Sequence, residues 1–195
     1  MKKITLFFAL TALIASNTKV MAQDAASQGN ITVNLIYGSP SLSTLFFKGL
    51  FEGVDKFSYL GPAGLAFEYF LSDNISVGLE GTYSSLSIEY SDDLDSYKLQ
   101  SQRIRVYPKI NFHFKTSEKV DPYFSIGGGY KSPTNVRTTN NNNEETTSEK
   151  LPSLIPFAFR TAIGTRYYFN NNIGLSGEFG IGGGALFMGG IIFKL

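Results

Sequence analysis

The stretch RTAIGTRYYFNNNIGLSGEFGIG, residues 160–182, decides the fold. On both sides of its three asparagines, apolar residues such as Ile163 and Leu175 alternate with small or charged residues such as Arg160 and Glu178. Alternation with a period of two is the pattern of a β-strand, and two such runs around a short polar turn form a hairpin. The stretch therefore predicts two strands with one apolar face and one small or charged face.

The composition of the whole chain agrees with a β-protein of one domain. The chain has 195 residues with no cysteine, 20 glycines, 17 phenylalanines and 11 tyrosines. Glycine and aromatic residues at this level favour β-structure with close packing. The formal net charge is +1, so the sequence lacks the basic excess that nucleic-acid binding normally requires, and we expect no nucleic-acid partner.

The N-terminal segment has the pattern of a secretory signal peptide. Lys2 and Lys3 precede the apolar run ITLFFALTALIA at residues 4–15, and Val20, Met21 and Ala22 fit an A-x-A-like cleavage site before Gln23. The run is too short to span a bilayer by itself, which disfavours the alternative of a membrane anchor. We predict a signal peptide at residues 1–22. Its removal leaves 14 basic and 16 acidic residues in the exported chain.

Period-two alternation recurs along the rest of the chain and predicts eight strands. They cover residues 30–38, 61–71, 75–89, 99–114, 123–131, 160–169, 173–182 and 185–195. Long and short connections alternate between them, as in membrane barrels with short inner turns and longer outer loops. Residues 132–153 are rich in asparagine and threonine, and we predict a mobile loop there. Pro108 removes one ladder donor and predicts a bulge or kink.

The polar face of the predicted strands indicates a barrel interior rather than a soluble surface. Small residues dominate it, as suits the narrow interior of an eight-stranded barrel. The long charged residues on this face are Glu68, Glu80, Arg103, Arg105, Lys109, Arg160, Arg166 and Glu178. Since a buried unpaired ion is costly, we expect them to neutralise one another as a structural charge network in the lumen. The apolar face then contacts lipid.

Aromatic residues concentrate beside the predicted short turns. They are Tyr69, Phe70, Phe112, Phe114, Tyr123, Phe124, Tyr167, Tyr168 and Phe169, with Phe193 near the chain end. We interpret them as an interfacial girdle at one membrane boundary, although strands favour aromatic residues in general. Pairing of the last strand with the first would close the sheet and remove its edges, which explains stability without disulfides.

Several motifs together resemble the outer-membrane β-barrel domain family of Gram-negative bacteria. They include NITVNLIYG (residues 30–38), EYFLSDNISVGLE (68–80), DPYFSIGGGYK (121–131) and GGIIFKL (189–195). The resemblance extends over residues 23–195 and implies small barrels like the transmembrane part of outer membrane protein A. We therefore expect an all-β fold, an eight-stranded antiparallel up-and-down transmembrane β-barrel in the bacterial outer membrane.

The same resemblance implies the partners of the barrel. Outer-membrane lipid and lipopolysaccharide would surround it, and the barrel-insertion machinery would recognise its C-terminal strand. In the family this strand usually ends in an aromatic residue, whereas here the last residue is Leu195, with Phe193 and Ile191 on the same face. No periplasmic peptidoglycan-binding domain follows, so we expect no cell-wall anchoring of that kind.

Catalytic and metal sites are poorly supported by the sequence. Some barrels of this kind are enzymes. One type, lipid A deacylase, uses a histidine, a serine and an acid at the outer rim facing lipid. The single histidine, His113, lies on the inward face near a short turn, so we expect no catalysis there. Zero cysteines and one histidine exclude the common zinc sets. SDDLD (residues 91–95) is better explained as a solvated acidic loop than as a calcium site, because it lacks the glycine and terminal Glu of an EF-hand. We expect no cofactor.

The sequence leaves several functions open. The leading hypothesis is a non-enzymatic outer-membrane barrel with a structural or adhesive role through its outer loops, whose partner is unknown. The alternatives are a lipid-modifying barrel enzyme, a soluble exported barrel that binds an apolar ligand, and a narrow channel. LFFKGLF (residues 45–51) in the first long connection would lie on the membrane surface, fold over the barrel mouth or bind a partner, and the sequence does not distinguish these.

Overall fold

The computed structural model describes residues 25–39, 56–91, 95–114, 117–141, 146–151 and 156–195. The predicted signal peptide, the LFFKGLF stretch and residues 92–94 of the acidic loop lie outside the described residues. Within the described part of the chain, no helix is long and apolar enough to cross a membrane.

Nine antiparallel strands make up the described fold. They are β1 (Ile31–Ser39), β2 (Lys56–Ser72), β3 (Ile75–Ser91), β4 (Asp95–His113), β5 (Val120–Asn141), β6 (Thr146–Leu151), β7 (Phe157–Tyr168), β8 (Ile173–Gly182) and β9 (Phe187–Lys194). The order around the sheet is β4-β3-β2-β1-β9-β8-β7-β5, and β4 pairs with β5 to close it. β6 pairs with β5 alone. The predicted closed eight-stranded up-and-down barrel is therefore confirmed.

The two faces of the wall are oriented as predicted. Side chains on the apolar face point outward: Ile163 is 62% exposed and Phe179 is 48% exposed. Charged side chains on the alternate positions point into the lumen, where Arg160 is 2% exposed and Glu80 is 1% exposed. Hydrocarbon would therefore contact isoleucine, leucine and phenylalanine, while the charges are shielded by the wall.

The predicted mobile loop at residues 132–153 is wrong in part. β5 continues to Asn141, and β6 pairs back onto it from Asn135↔Leu151 to Asn140↔Thr146. β4 also pairs with this extension as far as Asp95↔Asn141. Apolar alternation marks a strand only where one face meets lipid or a core. A strand with water on both faces carries no such pattern, although its backbone ladder is intact.

Pro108 does not produce the predicted bulge. β3 pairs with it directly at Leu79↔Pro108, and the ladder to β5 is interrupted between Val106↔Tyr130 and Lys109↔Gly127 with the same register on both sides. The missing donor therefore interrupts one ladder without moving the strand.

A bulge lies instead in β2, where the register shifts between Leu60 and Ala63. The inserted residue reverses the facing of the strand beyond it. As a consequence, Tyr59 lines the lumen, although it lies beyond the predicted start of this strand at residue 61.

The barrel has two different ends. At one of them, here called the turn end, the connections are Asp73–Asn74, residues 114–119 and residues 169–172, and the described N-terminal segment lies against it. Gly29 N donates to Phe70 O at 2.9 Å in this segment, and Ala25 packs on Tyr168 and Ile192. The opposite end, here called the loop end, carries the connection of residues 40–55 between β1 and β2 and the extensions of β2 to β5; in such barrels the end with the longer loops faces the cell exterior.

The predicted aromatic girdle at the turn end is correct for only part of its members. Tyr69, Phe114 and Phe169 are 47%, 58% and 55% exposed on the outer face. By contrast, the members that point into the lumen are Phe70, Tyr123 and Tyr168, at 0%, 2% and 2% exposure. Strand parity already places them there, because they lie on the same alternate positions as the charged residues.

Depth in the bilayer should decide the cost of a charge on the outer face. We expect Ile163→Arg, at the middle of β7, to destabilise the barrel by about 2–4 kcal/mol, because the guanidinium would sit near the bilayer midplane. Phe169→Arg, just beyond β7 at the turn end, should cost about 0–1 kcal/mol. Urea unfolding in lipid bilayers, followed by circular dichroism and heat-modifiable gel mobility, measures both. Equal costs would contradict the lipid-facing orientation of Ile163.

Candidate functional site

Charged side chains in the lumen form three groups along the barrel axis. From the turn end toward the loop end they are the lower tier (Glu68, His113, Asp121 and Arg166), the middle tier (Glu80, Lys109, Arg160 and Glu178) and the upper arginine pair (Arg103 and Arg105). They are contributed by β2, β3, β4, β5, β7 and β8, on the alternate positions that face inward. The candidate site is this column of charge.

In the lower tier, Arg166 pairs with two carboxylates. Its Nη1 donates to Asp121 Oδ2 at 3.2 Å, and its Nη2 donates to Glu68 Oε2. The guanidinium also stacks over the Tyr123 ring, with Cζ 4.5 Å from the ring centroid. Arg166 lies on β7, Glu68 lies on β2, and Asp121 and Tyr123 lie on β5. Arg166 therefore links three strands of the wall across the lumen.

His113 completes the lower tier. Its Nδ1 lies 2.8 Å from Asp121 Oδ1, and its Nε2 lies 2.8 Å from Ser76 Oγ and 3.3 Å from Glu68 Oε1. The Ser76 hydroxyl itself donates to Glu68 Oε1 and accepts from Asn111 Nδ2. Both ring nitrogens therefore face acceptors, a pattern that a doubly protonated ring satisfies. With His113 charged, the lower tier contains two anions and two cations.

The middle tier is balanced in the same way. Lys109 Nζ lies 3.2 Å from Glu80 Oε2 and 3.9 Å from Glu178 Oε1. Arg160 Nε donates to Glu178 Oε2 at 3.0 Å. Two tyrosines also hydrogen-bond to the carboxylates of this tier: Tyr107 OH donates to Glu80, and Tyr123 OH donates to Glu178 at 2.8 Å. All four charged side chains are at most 9% exposed. Their opposite charges offset the desolvation free energy that burial costs.

Glycines in the β8–β9 turn allow the backbone to approach the charged column. Gly182, Gly183 and Gly184 all have positive φ, at 82°, 63° and 97°, which disfavours residues with a Cβ. Arg160 Nη1 donates to the carbonyls of Gly182 at 3.3 Å and Ala185 at 3.0 Å. The turn therefore folds inward at the loop end and uses its carbonyl oxygens as additional acceptors for a middle-tier cation.

The upper arginine pair departs from the expected mutual neutralisation. Arg105 is 5% exposed and donates through Nη1 to Ser84 Oγ at 2.9 Å. Among the described residues, no carboxylate lies within ion-pair distance of Arg103 or Arg105. The structure thus brings six of the eight predicted charged residues into paired tiers and leaves two arginines outside them.

Several members of the site were missing from the sequence prediction. The strand predicted at residues 123–131 begins two residues after Asp121, and His113 is predicted only to lie on the inward face. Asp121, Tyr123 and Ser125 are all inward and buried at 1%, 2% and 3% exposure, so the period-two pattern of DPYFS could have identified Asp121 as an inward anion. The role of Tyr107 and Tyr123 as hydroxyl donors required the register across strands.

No group of three or more histidine, cysteine, aspartate or glutamate side chains in the described ranges is arranged to hold a metal ion. The lower-tier carboxylates instead face cations of the protein itself. The chemistry of the described lumen is therefore that of ion pairs and hydroxyl donors.

Comparison with protein families gives a match over most of the chain. The model of the family described as "Outer membrane protein beta-barrel domain" matches residues 7–186. This range includes β1 to β8.

Comparison with solved structures gives matches of low sequence identity. The N-terminal β-barrel domain of Pseudomonas aeruginosa OprF has a TM-score of 0.42 at 18% identity, covering 86% of this chain and 98% of that one. The attachment invasion locus protein Ail of Yersinia pestis, solved in complex with the heparin analogue sucrose octasulfate, has a TM-score of 0.46 at 13% identity, covering 86% and 99%.

Among curated proteins, a hydroxyethylthiazole kinase of Natranaerobius thermophilus is 30% identical over 87 residues, or 43% of this chain. The chain spans about a third of the length of that relative, 32%. A match of this extent establishes neither the fold nor the activity of that enzyme for this chain.

Burial should separate the middle tier from surface ion pairs. We expect Glu80→Gln to destabilise the barrel by about 3–5 kcal/mol, because it leaves an excess cation in the lumen. The matched change Glu89→Gln should cost about 0–1 kcal/mol. Glu89 contacts Lys98 at 2.9 Å with side chains 31% and 41% exposed. The free energy of unfolding in urea measures both changes.

A double variant tests whether charge balance is the cause. Adding Lys109→Met to Glu80→Gln leaves Glu178 paired with Arg160, so most of the lost stability should return. If the double variant were less stable than Glu80→Gln alone, the tier would act through packing rather than neutralisation.

Proposed function

The chain belongs to the outer membrane protein beta-barrel domain family, and we propose that it is a non-enzymatic barrel with a sealed lumen and a surface-interaction role at its loop end. As a member of this family it is a protein of the bacterial outer membrane. The observation that carries the proposed role is the unequal height of the barrel wall.

One side of the wall rises well beyond the length that a bilayer requires. β2 and β3 have 17 residues each, β4 has 19 and β5 has 22. β1, β8 and β9 have 9, 10 and 8 residues, close to the roughly 9–11 that a tilted transmembrane strand needs. Ten additional residues extend roughly 30 Å along a strand.

The part of the wall above the loop end is here called the protruding sheet; it comprises residues 56–60, 84–91, 95–102, 132–141 and β6. Its sequence contains many Ser, Thr, Asn and Gln residues and few large apolar ones, which suits water on both faces. Among the described residues, β6 is a free edge of this sheet, since it pairs with β5 alone. A polar sheet with an open edge outside the membrane supports contact with another molecule at the cell surface.

The filled lumen favours a structural role for the barrel over a role as an ion-conducting channel. In the described residues, the bulkiest fully buried side chains include Arg160, Arg166 and Tyr107, and they cross the interior in two neutral tiers. An eight-stranded barrel leaves an interior just wide enough for side chains. The charged interior also disfavours the soluble carrier of an apolar ligand, because such a ligand would displace paired charges.

A hydrolytic function has one observation in its favour. Ser76, His113 and Asp121 lie in the order of a catalytic triad, with both His113 contacts at 2.8 Å. However, Ser76 is 0% exposed and its hydroxyl donates to Glu68 rather than to the imidazole. A nucleophile needs both substrate access and a free base, so these residues better suit a structural role.

Export and assembly complete the proposal. Residues 1–22 would direct export as a signal peptide and be removed. The outward face of β9 carries Phe187 and Ile191 at 56% and 45% exposure, and Leu195 at 43% follows it. This apolar alternation supports recognition of the C-terminal strand by the barrel-insertion machinery. Outer-membrane lipid and lipopolysaccharide would then contact the outer face.

Shortening the protruding sheet should remove the surface role without unfolding the barrel. Replacing residues 136–150 by Asn-Gly joins Asn135 to Leu151, which are directly paired in the hairpin. We expect this variant to be inserted and heat-modifiable, because β5 pairs with β7 only between Val120 and Tyr130. In a deletion strain, it should fail to restore attachment of cells to glass and to one another.

The matched control replaces residues 142–145 by four Gly and Ser residues and keeps both hairpin strands. This control and the full chain should restore attachment to the same level. Full restoration by the shortened variant would refute a role for the protruding sheet.

Lipid analysis separates the proposal from the enzyme alternative. We expect the mass spectrum of lipid A to be the same in the deletion strain, in the strain with the full chain and in a strain with Ser76→Ala, since Ser76 is sealed in the lumen. An acyl-chain difference that depends on Ser76 would establish the hydrolytic alternative.

A further inference from the structure

Among the residues that the structure describes, positive charge accumulates at the loop end of the lumen without a carboxylate in ion-pair distance. The lower and middle tiers each contain two anions and two cations, whereas the next inward charges along the axis are Arg103 and Arg105. Lys131 of β5 lies directly opposite Arg105 of β4, and alternate residues of β5, such as Tyr123 and Ser125, face the lumen. Arg105 and Lys131 therefore share one level of the wall, and Arg103 lies two residues further along β4, opposite Pro133.

This arrangement is unfavourable by itself. Like charges directly opposite on neighbouring strands destabilise a sheet, and Arg105 is 5% exposed, so water does not fully solvate it. In the described ranges, the polar contact of Arg105 is a neutral hydroxyl, Ser84 Oγ at 2.9 Å. In the two tiers below, the buried cations lie beside carboxylates. The upper arginine pair departs from that rule.

A cavity lies against the same cations. Its volume is about 160 Å³, room for about five water molecules at roughly 30 Å³ each. Its lining includes Tyr59, Ser84, Ser101, Arg103, Arg105 and Gly184. Two guanidinium groups and several hydroxyls thus line one partly open space, and they come from β2, β3 and β4, with Gly184 from the β8–β9 turn.

The backbone of the β8–β9 turn forms one wall of this cavity. A Cβ at Gly184 would lie 2.8 Å from Arg105 Cζ and 2.9 Å from its Nη1 and Nη2, so a side chain there would displace the guanidinium. Tyr59 OH also approaches Gly184 O at 3.5 Å. Both the β2 bulge that turns Tyr59 inward and the positive φ of Gly184 contribute to the shape of the space.

We propose that this cavity is a binding site for a phosphate or sulfate oxyanion that enters from the loop end. Guanidinium groups bind such oxyanions through charge-assisted hydrogen bonds, and hydroxyls donate to the remaining oxygens. A bound dianion would offset the excess charge of the upper arginine pair and Lys131. The source of the group is either the free ion or a phosphate carried by a small sugar. The surface role proposed above does not depend on this site.

Calorimetric titration of the full barrel in zwitterionic detergent micelles tests the proposal, with inorganic phosphate as the probe at ionic strength held constant by NaCl. We expect saturable binding of one ion per chain. Arg105→Gln should weaken it about tenfold or more, because it removes a charge-assisted contact. Lys98→Gln also removes one positive charge from β4, but from the exposed pair with Glu89, and it should leave phosphate binding unchanged.

Two further variants keep the test decisive. If Arg105→Gln does not fold, as judged by heat-modifiable mobility, then Arg103→Gln takes its place with the same expected loss. Ser84→Glu places a carboxylate beside Arg105 and should both abolish phosphate binding and raise the thermal midpoint, because the protein then supplies its own anion.

The source of the oxyanion follows from a parallel titration with glucose 6-phosphate. Tighter binding than inorganic phosphate indicates a sugar-borne group, and equal or weaker binding indicates the free ion. Absence of saturable binding by the folded wild-type barrel with either probe would overturn the proposal. Equal weakening by Lys98→Gln and Arg105→Gln would also overturn it, since the effect would then be general electrostatics.

Discussion

Every backbone N–H and C=O group inside a hydrocarbon layer must be hydrogen-bonded within the protein, and the rest of this structure depends on that constraint. The chain meets it by pairing β1 with β9 and β4 with β5, so that no edge is left at membrane depth. Closure then gives the wall two unlike surroundings. Because side chains alternate along each strand, the same closure that satisfies the backbone sends isoleucine, leucine and phenylalanine to lipid and sends arginine, lysine, glutamate and aspartate to the lumen.

Burying so many charges in a narrow tube is tolerable only if they are paired, and the lumen is organised accordingly. With His113 protonated, each of the two tiers contains two anions and two cations, and tyrosine hydroxyls and glycine-turn carbonyls supply further hydrogen bonds to these ions. The apparent triad around His113 follows the same logic, since a protonated histidine beside two carboxylates and a serine would supply the second cation of the lower tier. The upper arginine pair stands outside this organisation, and an external anion would extend the same neutralisation to the mouth of the barrel.

Period-two alternation was a good guide to the wall wherever lipid contacts one face, and it failed where both faces meet water. The extension of β5 to Asn141 and the pairing of β6 have no apolar stripe, so the sequence there is typical of a loop although the backbone forms a ladder. Parity also places Phe70, Tyr123 and Tyr168 inside, against the expectation of a uniform aromatic girdle. Asp121 falls outside the strand predicted at residues 123–131, because that predicted strand begins two residues after it.

The sequence by itself determined which residues face lipid and which face the lumen, because neighbours in a strand point to opposite sides and this depends on local order alone. Only the tertiary structure decided which charges meet. Glu68 and Arg166 are 98 positions apart and come together because the registers of four successive strand pairings and the diameter of the closed barrel bring them to one level. The same registers leave Arg105 opposite Lys131 rather than opposite an acid. The side of the wall to which a side chain points depends on its position in the strand, whereas the ion pairs across the lumen depend on the closed sheet.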